Sequence, residues 1–498
     1  MEMQFDRIPV AYLQKLTDGV RTQEETLEVR LPDGMPDVGH VLGAWGQVVV
    51  RGKEWGSDSM AVSCGVMAWV LYTPEDEDGV RSVEAWLPFS MRWELPETRH
   101  DGKITACCML KNVDARSTSA RKLMVRATLC ADAKAWQVEQ AQVAVPAELP
   151  EDIQLLTATY PVMLPREAGE KPFLLEEQMT VANAPKPEKL MYYTLQPEIT
   201  DQKVMAGKIV FRGNAAFHLL YRGEDGKPYS WDYDLPFSQY ADLDGEYEND
   251  AVVAVQPCVT SLDVSLDENG QLQLKAGLLG QYLLSDRSMV TVAEDAYSPN
   301  RKLELMYEQL QVPSILDQLS HNLQAEKSAQ AEVQQVVDLV FYPACGQREY
   351  TEDGAKMLLP GLFQMLYYDT SGELRGMQTS WDEQWSVQAA KDSAVDTRIT
   401  TTGKPQAMVG AGTVTMRADM TVDATVSSGQ GILQIVGLEI GEAEKPDANR
   451  PSLILCRKGN RRLWDVAKET GSTVETIWQA NGLEAEPESS RVLLIPVK

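Results

Sequence analysis

Histidine and cysteine are the residues of this chain whose chemistry could ligate a metal or carry a nucleophile. The four histidines lie at scattered positions without an HxxxH or HExxH spacing: His40, His100, His218 and His321. The seven cysteines fall at no metal-ligand spacing, and their odd number does not suit a disulfide framework: Cys64, Cys107, Cys108, Cys130, Cys258, Cys345 and Cys456. The sequence also contains no Gly-rich phosphate loop and no nucleophile elbow. We therefore predict a protein that is not an enzyme and has no cofactor and no metal.

Acidic turns are the other candidate for metal chemistry. The segments "PEDEDG" (74–79), "GEDG" (223–226) and "LDENG" (266–270) could supply carboxylates to calcium. None has the full spacing of a calcium loop, whereas Asp, Asn and Gly supply the geometry of tight turns. We interpret the three segments as hairpin turns.

Length and charge limit the class of protein. A chain of 498 residues with 44% hydrophobic and 24% charged residues is expected to form three or four globular domains. The net charge of −27 argues against general binding to nucleic acid or to anionic membranes. No apolar stretch is long enough to span a membrane. The first 16 residues lack the pattern of a signal peptide, so we expect a cytoplasmic protein with reduced thiols.

A sequence plan occurs three times in the first 450 residues, at 67–90, 216–238 and 363–386. In each copy an apolar run ends in Leu-Tyr, a turn rich in Asp, Glu and Gly follows, and then a strand ends in an aromatic residue and serine. The tyrosines are Tyr72, Tyr221 and Tyr367, and the aromatic residues are Phe89, Phe237 and Trp385. A second anchor precedes each copy: "ETLEV" (25–29), "EQMTV" (177–181) and "EQLQV" (308–312).

Strict alternation of apolar and polar residues accompanies each copy. It is visible in "KLMVRATLCA" (122–131), in "SLDVSLDENGQLQLK" (261–275) and in "VTMRADMTVDATV" (414–426). This period predicts antiparallel strands with one buried and one solvated face, and Asn269-Gly270 predicts a hairpin turn. We predict a mainly β chain with three antiparallel repeats, sandwich-like or partly open barrels, at 1–160, 161–298 and 299–447.

The last 48 residues have a different character. Residues 451–498 carry a net charge of +1, which leaves −28 on the rest of the chain. Four residues at helical spacing predict one buried helix face: Leu463, Val466, Ala467 and Thr470. Gly471 is expected to end this helix, and Ser472 or Thr473 to cap a second helix. Strands at 452–456 and 492–496 would pair beneath them, giving a small α+β domain of order βααβ.

This C-terminal segment resembles a LysM domain. The residues that match are Gly459, Leu463, Trp464, Ala467, Thr473, Val474, Ile477, Asn481, Leu494, Ile495 and Pro496. Together with "LPDGMPDV" (31–38), "LPFS" (87–90) and the three copies, the whole chain resembles spore coat morphogenesis proteins of endospore-forming anaerobes, which combine SPOCS repeats with LysM. That resemblance implies an adaptor at the mother-cell side of the forespore surface. Its protein partner would be the basement-layer ATPase of the coat.

The resemblance implies that two loops bind the partner, and we add Trp464 because Trp is often an interface anchor. We assign the binding residues to two loops and one helix residue: Gly459, Asn460, Arg461 and Arg462 in the first loop, Trp464, and Asn481, Gly482 and Leu483 in the second loop. LysM domains usually bind N-acetylglucosamine polymers between these loops, so peptidoglycan or a chitin-like glycan is the alternative ligand. Here "GNRR" (459–462) and "ESSR" (488–491) replace the usual Gly-Asp-Thr and Pro-Gly. We therefore favour a protein partner.

Arg461 and Arg462 lie at the predicted start of a helix, where the helix dipole disfavours positive charge. Exposed arginines are often tolerated there. The alternative is that a basic cluster beside Trp464, formed by Arg457, Lys458, Arg461 and Arg462, contacts an acidic partner surface. On that hypothesis the double change Arg461→Glu and Arg462→Glu would weaken partner capture without lowering the melting temperature.

Overall fold

The computed structural model of the chain describes residues 2–96, 101–146, 148–182, 184–391, 393–443 and 451–497. Within these ranges the protein is mainly β, as predicted, with 22 strands and two short helices. Paired strands are antiparallel, and no described sheet closes on itself. Neither of the described helices has the length and apolar character needed to cross a membrane. The predicted boundary at 447 and the side chain of His100 lie outside the described residues.

The strands form three consecutive groups, followed by a C-terminal unit at 451–497. A short strand, β1 (Glu2–Gln4), precedes the first group. That group contains β2 (Asp6–Arg30), β3 (Val38–Trp55), β4 (Ser59–Pro74), β5 (Arg81–Glu94), β6 (Lys103–Ser119) and β7 (Lys122–Val145). The second group contains β8 (Gln154–Met179), β9 (Pro187–Met205), β10 (Lys208–Gly223), β11 (Pro228–Asp242), β12 (Val252–Leu266) and β13 (Leu272–Tyr297).

The third group and the C-terminal unit complete the chain. The third group contains β14 (Arg301–Gln330), β15 (Val333–Pro343), β16 (Arg348–Thr351), β17 (Gly354–Asp369), β18 (Leu374–Gln388), β19 (Ala394–Val409) and β20 (Thr413–Ala443). The C-terminal unit contains β21 (Leu453–Arg457), α1 (Leu463–Thr470), α2 (Val474–Asn481) and β22 (Val492–Pro496). The predicted boundary at 298 lies between β13 and β14, and the one at 160 lies within β8.

Each group pairs its strands in the same order. One sheet joins the first strand of the group to its last two, as β2–β7–β6, β8–β13–β12 and β14–β20–β19. The other sheet contains the strands between them, as β3–β4–β5, β9–β10–β11 and β15–β17–β18, with β16 also paired to β17. The three segments of similar sequence are the β4–β5, β10–β11 and β17–β18 hairpins. Strand β1 is added to β20, so the N-terminal residues complete a sheet of the third group.

The same backbone contact fixes the start of each hairpin turn. The backbone amide of the third residue after each repeated tyrosine donates a hydrogen bond. The acceptor is the carbonyl oxygen of the residue that directly precedes the second strand of the group. The pairs are Glu75 to Asp37 at 3.1 Å, Glu224 to Lys186 at 3.2 Å and Thr370 to Glu332 at 3.2 Å. In the first two groups the tyrosine hydroxyl also donates to a proline carbonyl oxygen, from Tyr72 to Pro36 and from Tyr221 to Pro185. The repeated tyrosine therefore lies at one structural position.

The second predicted anchor is equivalent only in the first two groups. Residues 25–29 pair with 123–127, next to the β6–β7 turn, and 177–179 pair with 272–274, next to the β12–β13 turn. Residues 308–312 instead pair with 430–434, and the end of β14 next to the β19–β20 turn lies at Gln330. The prediction for the third group was therefore wrong, because a short similar sequence recurs at a different register of a 30-residue strand.

The acidic turns accept hydrogen bonds from their own backbone. The carboxylate of Asp267 accepts from the amides of Asn269 and Gln271 at 2.8 and 2.7 Å. The carboxylate of Asp369 accepts from the amides of Ser371 and Glu373, each at 2.9 Å. These bonds close the hairpins in the way that turn residues usually do. No described group of three or more His, Cys, Asp or Glu side chains is arranged to hold a metal ion.

The alternating segments bury the predicted face. The buried residues are Leu123, Val125, Ala127 and Leu129 in β7, Leu272 and Leu274 in β13, and Val414, Met416, Ala418, Met420 and Val422 in β20. This confirms the period-two interpretation.

Part of the core is shared between groups. Trp45 and Trp69 of the first group stack on the second group, with Trp45 parallel to Tyr192 at 5.3 Å and Trp69 tilted against Tyr193 at 4.8 Å. Leu366 of the third group is buried in the same cluster. The far ends of the long strands also pack together across all three groups, through Val143, Val162, Val290, Leu310 and Ile432 among others.

His218 on β10 lies between a carboxylate of its own group and a carboxylate of the third group, and so joins the two groups. Its Nδ1 is 2.6 Å from Asp232 on β11, and its Nε2 is 2.9 Å from Asp338 on β15. The hydroxyl of Tyr192 donates to Asp338 and lies 3.0 Å from the His218 ring. Burial acts to lower the pKa of His218, but the two carboxylates outweigh it and raise the pKa from 6.5 to about 10. Imidazolium therefore persists at this interface at neutral pH.

The raised pKa of His218 makes stability depend on pH. A group whose pKa is higher in the folded than in the unfolded chain stabilises the fold below its unfolded pKa and loses that effect as pH rises through its folded pKa. We expect the free energy of unfolding to fall as pH rises from 6.5 to about 10. His218→Gln should remove a contribution of roughly a few kcal/mol and flatten this part of the profile.

Urea denaturation at a series of pH values between these limits measures the effect. His40→Gln, which changes an exposed histidine of β3, serves as the matched control and should keep the wild-type slope. Equal slopes for the His218 variant and the wild type would contradict the assignment.

Candidate docking site in the C-terminal unit

The ends of both helices in the C-terminal unit follow from their capping residues. The residues of α1 on the predicted apolar face are buried: Leu463, Val466 and Ala467. Gly471 ends α1 with φ of 64°, a left-handed conformation that glycine adopts without a steric penalty. Thr473 caps α2, and its hydroxyl accepts the amide of Thr476 at 3.1 Å. Strands β21 and β22 pair antiparallel, with Leu455 opposite Leu494.

The chain after the second helix connects the two predicted loops. The amide of Gly459 in the first loop donates to the carbonyl oxygen of Ser489 at 3.0 Å. The guanidinium of Arg491 donates to the carbonyl oxygen of Asn481 in the second loop at 3.3 Å. The two loops are therefore held by one intervening segment. Asn460 and Gly482 are exposed, whereas Gly459 and Leu483 are half-buried.

Asn481 uses its side chain inside the unit. Its amide nitrogen donates to the carbonyl oxygens of Leu494 at 2.6 Å and Ile477 at 2.8 Å. Its amide oxygen accepts from the backbone of Leu494 at 2.8 Å. The side chain joins α2 to β22, so Asn481 has a structural role in addition to the binding role that we predicted.

Arg461 holds the end of β21. Its guanidinium donates to the carbonyl oxygens of Arg457 at 2.7 Å and Lys458 at 3.1 Å, and it forms an ion pair with Glu469. Arg462 is more exposed and pairs with Asp465 at 3.4 Å. The carboxylate of Asp465 also accepts the amide of Arg462 at 3.0 Å, which caps the helix.

These contacts offset the expected conflict with the helix dipole. Burial acts to raise the pKa of Asp465, yet its bonds to Arg462 lower the pKa overall. A carboxylate in the first turn is favourable at a helix N-terminus, so Asp465 compensates for the nearby arginine. The expectation that charge reversal at both arginines leaves the melting temperature unchanged must be revised, because Arg461 supports the loop.

Trp464 faces the β groups of its own chain. Its ring packs edge-on against Tyr297 with a centroid separation of 4.8 Å. Its indole nitrogen donates to the carboxylate of Asp295 at 2.8 Å, and Lys468 binds the same carboxylate at 2.7 Å. The hydroxyl of Tyr297 donates to the carbonyl oxygen of Ser472 at 3.0 Å. The end of β13 therefore docks the C-terminal unit through a residue that we had predicted to bind a partner.

The outer face of β21 and β22 is apolar and exposed. Leu453, Leu455 and Val492 are 51%, 73% and 57% exposed, while Leu493 and Ile495 are fully buried on the inner face. Exposed Arg457 and Arg491 lie at the end of this sheet where Arg457 pairs with Val492. We call Leu453, Leu455 and Val492 the outer apolar face.

Sequence reasoning missed both surfaces, for different reasons. The outer apolar face has a signal in "LILCR" (453–457), where Leu453 and Leu455 lie on one face and Ile454 and Cys456 on the other. Both faces are therefore apolar in a strand that needs only one buried side. Asp295 and Tyr297 give no such signal, because nothing local marks the end of β13 as a contact for a helix 169 residues away.

The Asp295 contact predicts how the unit is held. Asp295→Ala should leave the buried indole N–H of Trp464 unpaired, which costs about 1–3 kcal/mol, and should remove the Lys468 ion pair. We expect the C-terminal unit to separate from the β groups, measured by small-angle X-ray scattering as a larger maximum dimension. Glu304→Ala, an exposed carboxylate of β14, is the matched control. Unchanged scattering of the Asp295 variant would contradict this docking.

The two neighbouring arginines provide a second comparison. Arg461→Ala should speed hydrogen exchange in α1 and β21, because loop carbonyls lose their donors. Arg462→Ala should have a smaller effect, since its side chain is 62% exposed and pairs only at long distance with Asp465. Hydrogen exchange of the full chain measures both. A larger effect from Arg462 would be inconsistent with these roles.

Comparison with known proteins relates the second β group to one family. Residues 187–267 match the family model described as SipL, SPOCS domain. The match begins with β9 and ends just after β12. No curated protein and no solved structure matches the chain. The match supports a relationship to SipL-type proteins for this part of the chain.

Proposed function

We propose that this chain is a non-enzymatic assembly adaptor of the spore coat, which docks a protein partner through its C-terminal unit. The SipL, SPOCS domain match in the second group supports a sporulation-related role. The partner implied by the sequence resemblance is the basement-layer ATPase of the coat. The corresponding location is the cytoplasmic, mother-cell side of the forespore surface.

We extend the SPOCS assignment to the first and third groups. The shared strand order and the repeated amide-to-carbonyl contact after the tyrosine support three copies of one domain. We assign the C-terminal unit to LysM on the residues that match that motif, with its strand, two helices and strand as support. Three β domains would then carry and space one docking module.

The outer apolar face is the observation that carries the docking proposal. The sheet of β21 and β22 has apolar side chains on both faces, but only the inner face, with Leu493 and Ile495, is buried. Exposed apolar surface such as the outer apolar face often marks an interaction site. Arg457 and Arg491 add positive charge at its edge, in a unit of net +1 beside β groups of net −28. The surface therefore fits a protein segment that combines apolar side chains with carboxylates.

The predicted loop residues adjoin this surface. Arg461 binds the carbonyl oxygen of Arg457, so the first loop continues from the end of β21. Arg462, at 62% exposure, and exposed Asn460 extend the polar rim, whereas Trp464 is committed to Tyr297. Interfaces typically place such a polar rim around an apolar centre.

The proposal is tested by a charge placed on the outer apolar face. Leu455→Asp should reduce recovery of the basement-layer ATPase from sporulating cells about ten- to a hundredfold, because burial of a leucine contributes about 1.5–3 kcal/mol. Affinity capture with quantitative mass spectrometry measures recovery. Leu174→Asp is the matched control, since Leu174 on β8 is 70% exposed, close to the 73% of Leu455.

Two results would contradict the proposal. Equal recovery by Leu455→Asp and the wild type would exclude the outer apolar face as the docking surface. Co-sedimentation of the full chain with purified peptidoglycan, lost in Asn460→Ala or Gly482→Ala, would instead favour the glycan-binding alternative.

A further inference from the structure

Six of the seven cysteines lie in the β groups, and five of them, all but Cys64, lie where groups meet. The first group contributes four of them, namely Cys64 on β4, Cys107 and Cys108 on β6, and Cys130 on β7. The second group contributes Cys258 on β12, and the third group contributes Cys345, just after β15. Cys107, Cys108 and Cys258 line a cavity of about 230 Å³ whose other walls come from all three groups.

One pair of these thiols crosses between groups. The sulfur atoms of Cys130 and Cys345 are 3.1 Å apart, although 215 residues separate them along the chain. The backbone amide of Cys345 donates to the sulfur of Cys130 at 3.2 Å. Cys130 is fully buried, and Cys345 is partly exposed.

An adjacent buried ion pair keeps the two sulfurs in place. Arg348, whose side chain is 7% exposed, binds Asp132 at 3.2 Å and Asp396 at 3.2 Å. Asp132 follows Cys130 on β7, and Arg348 follows Cys345 at the start of β16. The same two segments are thus joined twice, once by charge and once by the thiols. The contact between the sulfurs is therefore a fixed feature of the junction.

The two thiols differ in proton affinity. The hydrogen bond with Cys345 lowers the pKa of the Cys130 thiol despite the opposing effect of burial. The same bond, together with burial, raises the pKa of the Cys345 thiol well above its usual value. A thiol of lowered pKa that accepts a backbone amide and lies 3.1 Å from a second thiol matches the arrangement of a reactive cysteine with its resolving partner.

We propose that Cys130 and Cys345 form a peroxide-responsive dithiol that, on oxidation, becomes a covalent link between the first and third β groups. The Cys130 thiol loses its proton and its sulfur attacks the peroxide. The O–O bond breaks, a sulfenic acid forms, and the leaving hydroxide takes the Cys130 proton to become water. The Cys345 sulfur then attacks the Cys130 sulfur. The S–O bond breaks, the departing hydroxide takes the Cys345 proton, and a disulfide and a second water result.

The link would restrict unfolding. A disulfide between residues so far apart in sequence reduces the conformational freedom of the unfolded chain, so the oxidised protein should unfold at a higher temperature. The reaction goes beyond the docking function, since Cys130 and Cys345 lie in the β groups and the outer apolar face lies in the C-terminal unit.

The test uses the full wild-type chain and hydrogen peroxide. Native protein is oxidised, remaining thiols are alkylated, and intact mass and non-reducing peptide mapping follow. We expect the loss of two hydrogen atoms per chain, one peptide pair linking residues 130 and 345, and a melting temperature that rises with oxidation and returns on reduction. Cys456→Ser, which changes the cysteine of the C-terminal unit, should behave as the wild type.

Variants separate the two chemical steps. Cys345→Ser should halt the reaction at a sulfenic acid on Cys130 that a dimedone probe labels, and Cys130→Ser should abolish both labelling and the link. Cys64 and Cys108 also share a thiol hydrogen bond, within the first group. A disulfide found only between Cys64 and Cys108, or no disulfide in native wild-type protein, would overturn the proposal without depending on any variant.

Discussion

The three β groups depend on one another to bury their apolar faces. Trp45, Tyr192 and Leu366 come from different groups, and each is completely buried in one common cluster. Antiparallel sheets can leave one face in water, but these sheets use the second group to cover aromatic residues of the first. Separation of the groups would expose this aromatic surface to water, which is unfavourable. The junction therefore constrains how the three groups are arranged relative to one another.

Buried glutamines fix how the groups are aligned across this apolar surface. The side chain of Gln281 on β13 both accepts from and donates to the backbone of Ala106 on β6. Gln434 on β20 bonds in the same way to the β7 backbone, accepting from Ala144 and donating to Gln142. An apolar contact tolerates sliding, whereas a buried amide that loses its partners incurs a desolvation penalty. These amides, with the His218 carboxylate pair, therefore define one arrangement of the groups.

Local sequence patterns predicted the strands and helices, but they did not predict contacts between residues that are distant in the sequence. Alternation predicted the buried face of β20 because burial on one side imposes a period of two, and Gly471 marked the end of α1 because its left-handed conformation favours glycine. The anchor at 308–312 was misplaced because composition does not reveal pairing register on a long strand. The carboxylates around His218 and the contact between Trp464 and Tyr297 join segments with no shared local signal, so neither could be read from the sequence.

Strand β13 connects the contact with the C-terminal unit, at Tyr297, to the core of the second group, at Leu272. This strand extends from Leu272 to Tyr297 and is paired with β8 over this length, with register shifts at Leu284–Ser285 and Ala293–Asp295. A partner that pulls on the C-terminal unit would transmit tension through Trp464 to Tyr297 and then along this ladder. Force along the strands loads many hydrogen bonds at once rather than one after another. The C-terminal unit is therefore attached to a long paired strand whose other end lies in the core of the protein.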